Sequence, residues 1–257
     1  MEIGFESDIG GALALLRSTE DFVSSASPYT LKAGPYSSHS LMLERLPANG
    51  SAGKRVLDVG GGEGYLSKHL SRRGFEVTCL SQPGTTARGL SEDVRIIEAD
   101  LDFELPELDS FGYIICGDVI EHVRNPDRLL KWLRGRLEPM GTMIASLPNS
   151  GHFYFRGTVL CGRFPEHEKG LFDRTHLHFY TLAGWKRLFE RTGYVLESIA
   201  PTSIPLGLAT GLGHGNPIVR FGEALNYSAA RVWKSMLAYQ FVIVARPSME
   251  PRPVNAD

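Results

Sequence analysis

Three short stretches of the chain gather residue types that can do chemistry. In Lys54-Arg-Val-Leu-Asp-Val-Gly-Gly-Gly-Glu-Gly-Tyr-Leu66 an acid, Asp58, stands ahead of glycines at 60, 61, 62 and 64. Glycine adopts backbone angles closed to other residues and lets a ligand reach the main chain. Asp118-Val-Ile-Glu-His122 sets two carboxylates and an imidazole close together, and Asp173-Arg-Thr-His-Leu-His178 adds an acid and two more histidines. Histidine takes or gives a proton near neutral pH. With Asp and Glu it also suits a divalent cation.

The surrounding pattern says what must position these residues. The apolar run ending at Asp58 reads as a buried strand, and Leu66 and Leu70 lie at helical spacing before Gly74, a C-cap. Strand, glycine turn and helix place a ligand at the carboxyl end of that strand, where open α/β sheets bind. Further strands are expected at 75–80, 94–99, 113–116, 142–147, 194–199 and 241–245. Between them, Leu41, Leu43 and Leu46 mark one helix, ended by Pro47-Ala-Asn-Gly50. Asn125 and Pro126 start another, with Leu129, Leu130, Leu133 and Leu137 as its apolar face and Pro139 closing it. A third is capped by Thr181 and holds Leu182, Trp185, Leu188 and Phe189. Alternating strands and helices predict an α/β fold, a mostly parallel sheet with helices on both faces. Residues 150–180 interrupt the rhythm with aromatics and histidines, 205–215 is glycine-rich, and 218–237 can be helical.

The glycine turn needs discrimination. A dinucleotide fingerprint has G-x-G-x-x-G with an acid about 20 residues later. Here Asp58 precedes the glycines, and their spacing is Gly60-x-Gly62-x-Gly64. With the segments that follow, residues 54–200 resemble a class I S-adenosylmethionine-dependent methyltransferase. Val56 to Gly64 is similar to that family's first motif, with Gly61 where cysteine or serine is common. Asp118-Val-Ile-Glu-His-Val123, Asn125-Pro126, Leu137-Glu-Pro-Met-Gly141 and Leu147-Pro-Asn149 match the later signatures in order. Asp173 to His176 and Phe179-Tyr-Thr181 resemble a subgroup linked to sugar, quinone or secondary-metabolite O-methylation.

The resemblance implies a Rossmann-like, seven-stranded, mostly parallel sheet with an antiparallel last strand near 239–245. It implies S-adenosylmethionine as cofactor, S-adenosylhomocysteine as product and a small-molecule acceptor. Asp58 and the Gly60, Gly61, Gly62 and Gly64 backbone would surround the cofactor's amino-acid end. Asp100 would accept from the adenine amino group with Leu101 beside the ring, and Gly117 and Asp118 would lie near the methionyl part. The acid that usually holds the ribose is replaced, leaving Ser81 and Gln82. A neutral hydrogen bond there is weaker than a charge-assisted pair.

A hydroxyl acceptor would benefit from a base, for which His122, His152, His176 and His178 are candidates. His176 and His178 alternate in an extended segment and so point opposite ways. His176 is the preferred base, with Asp173 orienting it. The Glu121–His122 pair reads first as a structural couple and second as catalytic. Asp118, Glu121 and His122 together resemble a divalent-metal set in some O-methyltransferases. No fourth ligand follows from spacing, so no metal is assigned.

Bulk properties set outer bounds. The chain has 257 residues, 42% hydrophobic, with net charge -2 and pI near 6.5, which gives no electrostatic reason to expect nucleic acid. Of three cysteines, Cys79 and Cys116 sit in apolar runs, fitting buried thiols in a reducing cytoplasm. No secretion signal or membrane span is expected, and a homodimer is one assembly open to it. Residues 1–35 read as an arm, 36–246 as the domain with acceptor-side insertions or lids at 150–180 and 203–235, and 247–257 as a disordered tail. The competing functions are a degenerate cofactor-binding scaffold, an RNA ribose methyltransferase and a nicotinamide-dependent oxidoreductase.

Overall fold

The computed structural model of the chain describes residues 32, 34–48, 54–85 and 93–248. Most of the expected arm and tail (residues 1–31 and 249–257) lies outside them. Seven strands form one sheet in the order β3-β2-β1-β4-β5-β7-β6. They are β1 Arg55–Val59, β2 Glu76–Ser81, β3 Val94–Glu98, β4 Phe111–Gly117, β5 Leu137–Pro148, β6 Tyr194–Pro201 and β7 Gln240–Pro247. Neighbours pair in parallel from β3 through β5, while β7 runs antiparallel to both β5 and β6. The sheet reverses its order between β1 and β4, the switch point at which such sheets bind ligands.

Period-two alternation explains why this sheet is covered on both faces. Leu57, Val59, Ile114, Cys116, Met143, Ala145 and Leu147 belong to one buried cluster. Their neighbours Val56, Ile115 and Ile144 belong to another. The first packs on α3 (Pro126–Gly135) through Leu129, Leu130 and Leu133, and on α5 (Leu182–Arg191) through Trp185, Leu188 and Phe189. The second packs on α1 (Ser38–Leu43) and α2 (Tyr65–Arg72). Each fully buried leucine contributes roughly 1.5–3 kcal/mol.

Local signals act as their chemistry requires. Asn125 Oδ1 accepts from Arg128 N–H at 2.9 Å, and Thr181 Oγ1 accepts from Gly184 N–H at 3.4 Å, capping α3 and α5. Leu137 departs from expectation. Helix α3 stops at Gly135, and Leu137 opens β5 opposite Phe111. The Arg136 carbonyl already accepts from Phe111 N–H at 2.8 Å, which draws the chain into the sheet before Pro139 is reached. The two irregular stretches also contain helices, α4 (Phe153–Leu160) and α6 (Leu206–Thr210). After α6 come α7 (Pro217–Val232) and α8 (Lys234–Leu237).

Candidate active site

The carboxyl ends of β1, β2, β3 and β4 lead into Gly60, Ser81–Gln82, Asp100 and Asp118, so the fold gathers the expected cofactor residues along one edge. The turn is left-handed at Gly60, Gly62 and Gly64, with φ of 69°, 52° and 79°. The Gly60 and Gly61 amides both donate to the Leu80 carbonyl, at 2.7 and 3.3 Å, tying the turn to β2. A Cβ on Gly60 would stand 2.4 Å from a Val119 methyl, and one on Gly61 2.5 Å from Cys79 Sγ. Cys79 on the neighbouring strand thus occupies the space that a side chain at Gly61 would need. At Gly62 a Cβ would meet only the Gly60 carbonyl at 3.9 Å, so main chain is open to a ligand at that point.

Asp58 points to the α2 face, where Ser67 Oγ donates to its carboxylate at 2.6 Å. Burial raises its pKa to about 6, against the opposing Ser67 hydrogen bonds. Ser81 is buried and its hydroxyl has no hydrogen-bond partner among the described residues, whereas Gln82 is exposed. An unsatisfied buried hydroxyl costs about 1–3 kcal/mol and suits a ligand that completes it. Asp100 Oδ1 accepts from the Asp102 amide at 3.0 Å, and Leu101 packs against the core beside it.

Asp118 has φ 55°, left-handed for a non-glycine residue. Such strain costs about 1–3 kcal/mol and gathers at functional sites. Its amide donates to Ser146 Oγ at 3.1 Å, and its carboxylate accepts from Ser146 Oγ at 2.7 Å and Gln240 Nε2 at 3.0 Å. Lys32 forms an ion pair with the other oxygen. Burial alone would raise this acid, but the Lys32 charge and the bonds from Lys32 and Ser146 hold it down to about 2. A Cβ at Gly117 would reach the buried Met42 Cε at 3.4 Å, close to ordinary van der Waals contact. Lys32 was not expected at this site, because nothing local in sequence ties it to position 118.

The acid–histidine stretches meet beside this edge. The Glu121 carbonyl accepts from the Leu177 and His178 amides at 2.9 and 3.2 Å, docking the 173–178 loop on the β4 exit. Glu121, His122 and His176 thereby bring ligand-type atoms within 4.8 Å of one another. Glu121 is fully buried, and among the described residues no side chain hydrogen-bonds its carboxylate oxygens; the nearest His176 nitrogen is 3.9 Å away. Burial, then the Asp118 charge, push its pKa well up. Burial and then His122 lower His176 to about 4.

Asp173 does not orient His176 as expected. Its Oδ1 accepts from the Thr175 amide at 2.8 Å and hydroxyl at 2.6 Å. Thr175 in turn sets His122: its hydroxyl lies 3.0 Å and its carbonyl 3.1 Å from His122 Nδ1. A carbonyl only accepts, so that network assigns the proton to Nδ1 and leaves the Nε2 lone pair free. His178 turns the other way, its Nε2 donating to the Val123 carbonyl at 2.9 Å while the ring stacks on Tyr180. His152 is buried, lowered by burial to about 4, and its Nδ1 caps α4. The residue that joins Glu121 and His122 is thus His176, brought from 54 residues downstream by main-chain bonds, while Asp118 of the expected set stays outside the cluster, its carboxylate taken by Lys32, Ser146 and Gln240.

A seven-stranded sheet with an antiparallel last strand and a glycine turn at its switch point defines the class I S-adenosylmethionine-dependent methyltransferase fold. The chain belongs to the methyltransferase domain family, which it matches over residues 39–199, more than half its length. Among curated relatives, the ubiquinone biosynthesis O-methyltransferase of Pseudomonas syringae pv. tomato is 34% identical over 108 residues, 38% of this chain and 46% of that protein. The protein of the same name from Actinobacillus pleuropneumoniae is 35% identical over 115 residues, 40% and 49% of the two chains. The match thus spans about half the length of these relatives. A Mesorhizobium loti S-adenosylmethionine-dependent methyltransferase superimposes with TM-score 0.56 at 16% identity, covering 82% of this chain and 98% of its own. The [4+2]-cyclase SpnF superimposes with TM-score 0.55 at 18% identity, covering 94% and 95%. At such identities the likeness is one of fold, and SpnF illustrates that the fold alone does not fix the reaction.

Proposed function

We propose that the chain binds S-adenosylmethionine across the carboxyl ends of β1 to β4 and transfers its methyl group to a hydroxyl of a small molecule. The observation that carries this reading is that the open glycine turn and the Glu121–His122–His176 cluster share one sheet edge. Asp58 and Gly60, Gly61, Gly62 and Gly64 would hold the amino-acid end, Gly117 and Asp118 the methionyl part, and Asp100 and Leu101 the adenine. The free Ser81 hydroxyl would meet the ribose, with Gln82 at the rim. The names of the curated relatives support oxygen as the accepting atom.

Methyl transfer is an in-line displacement: the acceptor oxygen bonds the methyl carbon as the carbon–sulfur bond breaks, leaving a neutral thioether. The protein's part is to align the oxygen and take its proton. His122 Nε2 suits that proton, with Asp173 and Thr175 holding the ring in the required tautomer. Lowered basicity makes His176 a better ligand than base. Alternatively, Glu121, His122 and His176 fit a divalent cation, with His122 Nε2 then a ligand in place of the base, since a buried acid bonded by no side chain among the described residues and a neutral imidazole suit such an ion. A cation there would make the acceptor hydroxyl more acidic. The aromatic wall of Phe155, Phe164, Phe172 and Phe179 adjoins His176 and suits an apolar or aromatic acceptor.

Ser81 in place of an acid favours a second reading, a degenerate site that no longer turns over. Purified protein given S-adenosylmethionine and a panel of phenols and catechols separates the two. Release of S-adenosylhomocysteine that depends on the acceptor supports transfer, and no release with any acceptor supports the degenerate site.

A further inference from the structure

Helix α7 carries an apolar stripe turned away from the protein. Val219, Glu223 and Ala230 form its buried side. Ile218, Phe221, Leu225 and Val232 are three, four and seven residues apart, so they share one side of a 3.6-residue helix, opposite to the buried one. They are 77%, 72%, 61% and 89% exposed. Leu208 and Leu212 before the helix and Trp233 after it are exposed as well. Exposed apolar residues also occur elsewhere, Leu160 among them, but a contiguous stripe along one side of one helix marks an interaction surface.

The charges say what kind of surface it meets. Arg220 and Arg231 are exposed along the same helix and Lys234 follows it half-exposed. The one acid between Leu206 and Leu237, Glu223, is buried, with its carboxylate against His214 and the Gly207 amide. Every charged side chain that this segment presents outward is therefore cationic. A groove of about 340 Å³ opens beside Arg220 and Phe221, walled by Pro35, Tyr36, Pro217, Glu223 and Ala224. Its lining is mostly apolar, with a guanidinium at the rim and the buried Glu223 in its wall. An amphipathic helix with aromatic and aliphatic residues on one side and flanking cations is the form that lies in a bilayer interface. Among the described residues no helix is long and apolar enough to cross a membrane, so contact would be with the surface.

We propose that α7 and its flanks are a docking surface for a lipid bilayer bearing anionic headgroups. The apolar stripe enters the acyl boundary, Trp233 sits at headgroup depth, and Arg220, Arg231 and Lys234 meet the phosphates. The segment joins β6 to β7 at the sheet edge that carries Gly60 and Asp118, so docking sets that edge near the membrane.

The test is co-sedimentation of the full chain with vesicles of phosphatidylcholine and of phosphatidylcholine mixed with phosphatidylglycerol. Binding is expected to the anionic vesicles, falling as salt is raised. Arg220→Gln and Arg231→Gln should each lower partitioning about fivefold, near what one cation at an anionic surface contributes. Phe221→Asp/Leu225→Asp should abolish it without lowering the melting temperature, because both side chains are exposed. Should that double variant melt early, the arginine variants carry the test alone. Sedimentation no greater than without vesicles, or unchanged in the arginine variants, overturns the proposal. So does a dimer by light scattering that Phe221→Asp/Leu225→Asp splits, which would give the face to a second copy.

Discussion

Glu121→Gln is the substitution whose effect should change sign with conditions. In the absence of a cation, Glu121 is a buried acid that no side chain among the described residues hydrogen-bonds, and the Asp118 charge adds to its burden. Burying such a group costs about 1–3 kcal/mol. Glutamine keeps the shape with no charge to desolvate and no proton to take up on folding, so after chelator treatment the variant should match or exceed the parent by about 1 kcal/mol. At 2–4 °C per kcal/mol for a chain of roughly this size, that is a rise of about 2–4 °C. With a divalent cation the order reverses. A ligand at 100 times its dissociation constant stabilises by about 2.7 kcal/mol, or about 5–11 °C for the parent. The variant, with its charged ligand gone, should gain little. The assay is thermal unfolding of both proteins across titrations of Mg²⁺, Mn²⁺ and Zn²⁺. Parallel curves for parent and variant at every concentration would refute the idea that this cluster holds a cation.

Other consequences can be checked together. Ser81→Asp should tighten S-adenosylmethionine binding roughly tenfold or more by calorimetry, since a charged acceptor adds about 1.5–3 kcal/mol to a hydrogen bond. Asp58 has a folded pKa raised from 3.8 to about 6, so its protonated form is favoured in the fold. Its contribution to ligand-free stability is therefore full below about pH 4 and is lost as pH rises through about 6. Asp58→Asn should remove this dependence and gain up to about 3 kcal/mol at neutral pH in urea unfolding, at about 1.4 kcal/mol per unit. Gly61→Ala should destabilise through its 2.5 Å approach to Cys79 Sγ, and Cys79→Ala should partly rescue it in a double-mutant cycle. Leu130→Ala, at a fully buried position of α3, should lower stability by about 2–5 kcal/mol.

The fold, and the edge at which the expected cofactor residues gather, were legible because their signals are local. The alternation in β1, β4 and β5 is written in consecutive residues, and Asn125 and Thr181 announce their helices by residue type. Gly60 to Gly64 could be placed at a strand end because a strand and a helix flank them within a few positions. What was not legible depends on long-range pairing. Helix α3 releases Leu137 early because Phe111 competes for the Arg136 carbonyl, and periodicity carries no trace of that partner. The same reason hid His176 as the companion of Glu121, and Lys32 as the counter-charge of Asp118. Asp173 misled for a related reason. Proximity in sequence to His176 suggested an orienting bond, but Thr175 intercepts the carboxylate and passes its influence to His122.

Calorimetric titration of the purified full chain with S-adenosylmethionine, set beside NADH, tests the central claim most directly. The account predicts one cofactor bound per chain, weakened by Gly62→Val, which fills the open face of the turn, and no heat with NADH. Binding of NADH, or S-adenosylmethionine binding indifferent to Gly62→Val, would contradict it.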